Sequence, residues 1–251
     1  MTTPAGRTER SPRPESGPPS RFAYLRWLPL GATAILVAEA ACYLPAPDWI
    51  QVHAESGPIE LMQNACWSAA ALIAGAEALR RRGTDRLFTA WLFVVGTMAA
   101  ARELDLHEWL NPDRIGRWGV SFRADWWFSL ESAPLWLKAA WALAFALLAF
   151  TLLAPMLALW RPALRLLVRG DAAAGLFAVA IACMGCGYIS DDLLRHAGLP
   201  VEPLQAIEET FELFGAASFL ASVILLAHTP FGARLARLAG PGSAPRYREA
   251  P

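Results

Sequence analysis

Apolar stretches long enough to cross a membrane recur along this chain of 251 residues, and nothing else constrains its fold as strongly. A hydrocarbon core of about 30 Å needs about 20 consecutive, mostly apolar helical residues. In lipid every backbone amide and carbonyl must be satisfied within the element, so such runs fold as helices or closed barrels. Runs at about 27–44, 59–79, 88–106, 134–160, 172–194 and 207–227 fit helices. The expected fold class is all-α, a polytopic membrane bundle of about six transmembrane helices.

The segments between these runs carry stop signals. Residues 1–20 are rich in Pro, Ser, Arg and Gly with no apolar face, which predicts a disordered tail. Ala38-Glu39-Ala40 resembles a signal-peptide cleavage site, but Glu39 and the long leader favour a retained first span. Pro45-Ala46-Pro47 ends that span, and Pro134 suits the first turn of the fourth. The fourth run exceeds the core thickness and should tilt, bend at Pro155 or project into the interface. Residues 230–251 read as a short basic tail.

Arginine placement gives an orientation. Sixteen of the 22 basic residues fall in the N-terminal flank, the 80–86 turn, the 161–169 segment and the C-terminal flank, while 45–58 has none. Short basic loops stay in the cytoplasm. Both termini are therefore expected there, with Trp49, Trp109, Trp126, Trp127 and Trp136 at the outer interface and Trp27 and Trp160 at the inner one. Lys138 is the only lysine; the Arg bias, with abundant Ala, Gly and Pro, suggests a GC-rich bacterial genome and hence a multi-pass inner-membrane protein. The partner this implies is the lipid bilayer. No basic patch suited to nucleic acid is present, and a protein or lipid ligand is not specified. The outer loop 108–133 mixes Arg114, Arg117 and Arg123 with Trp118, Phe122, Trp126, Trp127 and Phe128, which favours an interfacial anchor over a lid.

Ionisable groups gather at the outer ends of the runs. Glu39 lies near the end of the first, and Glu60, Gln63 and Asn64 open the second. Arg102, Glu103, Asp105 and His107 close the third, Asp191, Asp192, Arg195 and His196 the fifth, and Glu208, Glu209 and Glu212 open the sixth. Charges at membrane depth face a bundle interior or a wet cavity. A polar pocket just below the outer surface follows, with Glu39, Glu60, Gln63, Arg102, Asp105, Arg195, Glu208, Glu209 and Glu212 as candidate binding groups.

Three uses of that pocket are open. The simplest is structural or interactive, with Arg–carboxylate pairs fixing helix packing and acids complementing helix dipoles. The second is a divalent metal site, zinc or iron, in a hydrolase-like intramembrane enzyme. Glu103 with His107, and Asp192 with His196, have the i, i+4 spacing that puts both members on one helix face. These four are the candidate catalytic groups and metal ligands, with Glu212, Glu60 or Glu208 completing the shell. The third is proton- or ion-coupled transport. No HExxH, phosphate loop or nucleophile elbow is present. Cys183-Met-Gly-Cys186 lies mid-helix among small residues and reads as packing; Cys42 and Cys66 face the oxidising side and have the option of pairing. His53 and His228 read as surface residues.

The motifs Glu55-Ser-Gly-Pro-Ile-Glu60-Leu-Met-Gln63, Ala101-Arg-Glu-Leu-Asp-Leu-His107 and Ile207-Glu-Glu-Thr-Phe-Glu212 resemble those of a group of uncharacterised bacterial multi-pass inner-membrane proteins. The resemblance extends over about two thirds of the chain and implies a membrane location, without an activity. A looser similarity joins the chain to membrane-embedded zinc hydrolases of the ceramidase kind, which use Asp and His on several helices; the HxxxH helix of those enzymes is missing here.

Overall fold

The computed structural model describes residues 57–121, 124–129, 131–189 and 201–239, and every regular element among them is helical. The expected first span with Glu39, the 1–20 tail, residues 240–251, and Asp192, Arg195 and His196 lie outside the described residues.

Helix α1 spans Pro58–Arg80. Pro58 has no amide to leave unpaired in the first turn, and Glu60 there and Arg80 in the last turn complement the helix dipole. Arg81 turns extended and stops the helix, and the chain reverses through Arg82 into α2, Gly83–Glu103. This helix starts ahead of the expected Phe88 and ends short of Leu106, because Asp105 takes a left-handed conformation with φ 49°. His107 consequently sits in a separate 3-10 turn, Leu106–Leu110, so Glu103 and His107 do not share one helix face.

The segment that follows folds as α3 (Pro112–Ile115), a 3-10 turn (Gly116–Trp118) and α4 (Ala124–Phe128). It packs onto the start of α5, Leu135–Val168. Lys138 is buried there, donates to the carbonyls of Ser129 and Trp127, and lies 5.5 Å from the centre of the Trp126 ring. Trp141 Nε1 donates to the Trp118 carbonyl at 3.0 Å. The remaining helices are α6 (Ala172–Tyr188), α7 (Val201–His228) and α8 (Phe231–Ala239). Helix α7 begins ahead of the expected Ile207, and α8 occupies part of what read as a basic tail.

Helix α5 continues past Trp160, through Pro155 and Pro162. It stops only where Gly170, with φ 76°, lets the Gly170 and Asp171 amides return to the Leu167 and Leu166 carbonyls. Its 34 residues bury only Leu137, Lys138 and Leu166, while Leu143, Leu147, Phe150, Leu153 and Leu157 are exposed. So much contiguous apolar surface marks a contact with lipid or protein. Among the described residues, α5 and the Gln205–His228 part of α7 are long and apolar enough to cross a membrane; Ala172–Tyr188 is apolar but shorter.

The core lies between α1, α2, α6 and α7. Trp67, Ala70, Ala74, Leu92, Phe219 and Val223 are buried there, with Trp67 and Phe219 rings 5.0 Å apart. Gly96 of α2 faces Ala71 of α1, and the absence of a side chain lets the two backbones approach closely. Helix α5 is fastened to this group at Trp91, whose Nε1 donates to the Leu152 carbonyl at 3.1 Å. Nearby, Pro155 has no amide to offer the Thr151 carbonyl.

At the end where α1 stops and α2 starts, polar side chains cap neighbouring helices. Arg81 Nη2 donates to the Leu226 and Ala227 carbonyls at 2.9 and 2.8 Å, closing the end of α7. Asp171 accepts from the Ala174 amide at the start of α6 and pairs with Arg234 of α8 at 2.6 Å. Asp85 Oδ1 accepts from the Gly232 amide at 2.8 Å, capping α8 from α2. Asp85→Ala should therefore cost α8 about 1 kcal/mol, the usual value of a helix N-cap. Hydrogen exchange is expected to quicken at the first turns of α8 while the α1–α2 core keeps its protection; unchanged exchange there would show the cap to be dispensable.

Candidate functional site

Three helices bring polar groups together at one end of the bundle: the start of α1, the end of α2 and the start of α7. Gln63 is fully buried. Its Nε2 donates to the backbone carbonyl of Glu209 at 2.9 Å and to Glu209 Oε2 at 2.7 Å, joining α1 to α7. Asn64, one residue further round α1, points to α2 instead, where its Nδ2 donates to the Ala100 carbonyl at 3.3 Å. Ser68 donates to Asn64 Oδ1 at 3.1 Å and orients that amide.

Arg102 joins α2 to α7. Its Nη1 meets Glu212 Oε1 at 2.7 Å and Glu103 Oε1 at 3.3 Å. The two carboxylate side chains are only 6% and 5% exposed, whereas Arg102 is 53% exposed. Glu212 fits against α6 because Gly187 stands opposite; a Cβ there would lie 3.1 Å from Glu212 Cγ. Glu208 is buried as well, and lies in electrostatic range of Arg102. Glu60 and Asp105 act at similar range on Glu103.

Of the groups expected at this site, Gln63, Arg102, Glu103, Glu208, Glu209 and Glu212 come together, with Glu60 and Asp105 at the margin. Glu39, Asp192, Arg195 and His196 lie outside the described residues. Among the described residues no three His, Cys, Asp or Glu side chains gather closely enough to hold a metal ion. Cys183 is buried and Cys186 exposed on α6, and both are thiols. His228 is exposed, with its Nδ1 2.9 Å from the Ile224 carbonyl.

Two features of the site had a weaker signal in the sequence. Trp67 lies one turn below Gln63 on the same face of α1, and its Nε1 is buried without a partner among the described residues. Gln63 Oε1 is in the same condition. Turning the Gln63 amide over would set its oxygen against two acceptors on Glu209, so the present orientation is fixed and Oε1 needs a donor. Gly187 was part of a small-residue run, and its role as the seat of Glu212 depends on tertiary packing.

No protein-family model, curated protein or solved structure matches the chain.

Proposed function

We propose that this chain is a six-span bacterial inner-membrane protein with cytoplasmic termini, and that it works as an interaction protein whose outer polar cluster receives a positively charged group. The observation that carries this reading is Gln63 Oε1, a buried acceptor with no donor among the described residues, in the same cluster as the carboxylates of Glu209 and Glu212. A buried polar atom left unpaired is costly. A cation or a protonated amine received among these oxygens satisfies it.

The same bonds tie α1, α2 and α7 together, so packing and recognition share one set of side chains. Arginines at 80–86 and 161–169 support the cytoplasmic placement of the opposite end. The test is thermal unfolding of purified protein with sodium, potassium or methylammonium added at constant ionic strength. One of them should stabilise saturably, by about 2.7 kcal/mol at one hundred times its Kd. Glu212→Gln should remove that response. Equal curves with every cation would leave packing as the sole use of the cluster. Zinc or iron retained through purification, and lost in His107→Ala, would favour the metal-dependent reading instead.

A further inference from the structure

Two polar atoms in the interface between α1 and α7 are left over by the contacts of the polar cluster. Gln63 is fully buried and Trp67 is 4% exposed. Gln63 Nε2 is spent on Glu209 of α7, and the Trp67 ring packs against Phe219 of the same helix with centroids 5.0 Å apart. Both side chains thus enter one α1–α7 interface, a single helical turn apart. Gln63 Oε1 only accepts and Trp67 Nε1 only donates, so the two are complementary. They do not bond to each other, and neither has another partner among the described residues. An unmet donor and an unmet acceptor in one buried interface call for a further group that donates to one and accepts from the other.

The chemistry of that group follows from its neighbours. An ammonium bonded to Gln63 Oε1 has no lone pair, and neither it nor a metal ion meets the indole N–H. A second atom of the same ligand must accept from Trp67. A carboxylate is disfavoured there, because the side chains of Glu103 and Glu212 are only 5% and 6% exposed and Glu209 is bonded to Gln63 itself. Like charges held out of water repel strongly. A neutral oxygen meets no such conflict. Side chains four residues apart on a helix stand about 5–6 Å apart at Cβ, a span that an ammonium and a hydroxyl on neighbouring carbons cover.

We propose that the cationic ligand of this cluster is an amino alcohol, whose ammonium donates to Gln63 Oε1 and whose hydroxyl oxygen accepts from Trp67 Nε1. The inference rests on the reading that the cluster receives a positively charged group, and narrows it to one chemical class.

Thermal unfolding of the purified protein with ethanolammonium or propylammonium, at constant pH and ionic strength, tests it. The two ions match in charge and length and differ by a hydroxyl in place of a methyl. Ethanolammonium should bind about tenfold more tightly, the order of effect expected when a buried donor is met rather than left unmet. Trp67→Phe removes the N–H and should bring the two ions to equal affinity. Should that variant not fold, the indole N–H proton resonances of the unaltered protein give the same answer: one should move downfield with ethanolammonium and stay in place with propylammonium. Equal affinity of the two ions, or a preference that survives Trp67→Phe, would overturn the amino alcohol and leave the cation reading standing. So would stabilisation by sodium or potassium but by neither amine, or indole resonances that ethanolammonium leaves unmoved because water already occupies Trp67 Nε1. Stabilisation by no cation at all would instead overturn the reading on which the inference rests.

Discussion

Arg102→Ala should lower the stability of the purified protein by about 3 kcal/mol, the low end of the range for removing one partner of a buried ion pair. For a chain of this length that corresponds to a fall in Tm of roughly 6–12 °C. The low end applies because Arg102 is itself half exposed, so part of its interaction is screened. The carboxylates it serves are not exposed: Glu103 and Glu212 would be left facing each other with no guanidinium between them among the described residues. Most of the loss therefore comes from the acids that remain, and Glu212→Gln in the Arg102→Ala background should recover a good part of it. Arg102→Lys should recover less, since one Nη atom now reaches both carboxylates and an ammonium on a differently shaped stem does not reproduce that geometry. A change in stability below about 1 kcal/mol, the usual value of a surface pair, would mean that the cluster is solvated and fixes nothing.

Much of this cluster was legible from where acids fall along the apolar runs. Polar residues at the start of α1, the end of α2 and the start of α7 had to share a depth if the helices alternate in direction, and Gln63, Arg102, Glu103, Glu209 and Glu212 do meet. What could not be read was which pairs with which. Gln63 and Asn64 are adjacent, yet one bonds to α7 and the other to α2, because a step of one residue turns the side chain by about 100°. The ends of helices were the other obscure point. Asp105 adopts the left-handed conformation with no glycine or proline to announce it, and that removed His107 from the face of Glu103. The fourth run was expected to end near Trp160, but α5 continues through Pro155 and Pro162, and the true stop is Gly170. Helix α8 passed for a tail because it is short. Its Phe231 and Leu235 stand four residues apart, and both pack on the core.

The same geometry couples the apolar core to the cluster, and Gly96→Leu is where that coupling should be most visible. A Cβ at Gly96 would lie 3.2 Å from the Ala71 amide nitrogen and 3.3 Å from its Cα. These are backbone atoms, so the obstruction is not relieved by a rotamer change; α1 and α2 must separate. A leucine adds three further carbons beside the buried Leu92 and Ala100. Overpacking of this kind costs about 1–3 kcal/mol, and the upper end is expected here because both sides of the contact are helix backbone. The separation also opens the Asn64–Ala100 bond, which starts at 3.3 Å, and shifts the end of α2 that carries Arg102. Gly185 supplies the control. Nothing lies within 4 Å of a Cβ built there, so Gly185→Ala should gain roughly 0.5–1 kcal/mol from reduced backbone freedom in the unfolded chain. The two glycine substitutions should thus move thermal stability in opposite directions. If Gly96→Leu instead proved neutral, the close approach of α1 and α2 would not exist in the folded protein, and the polar contacts above it would lose their scaffold.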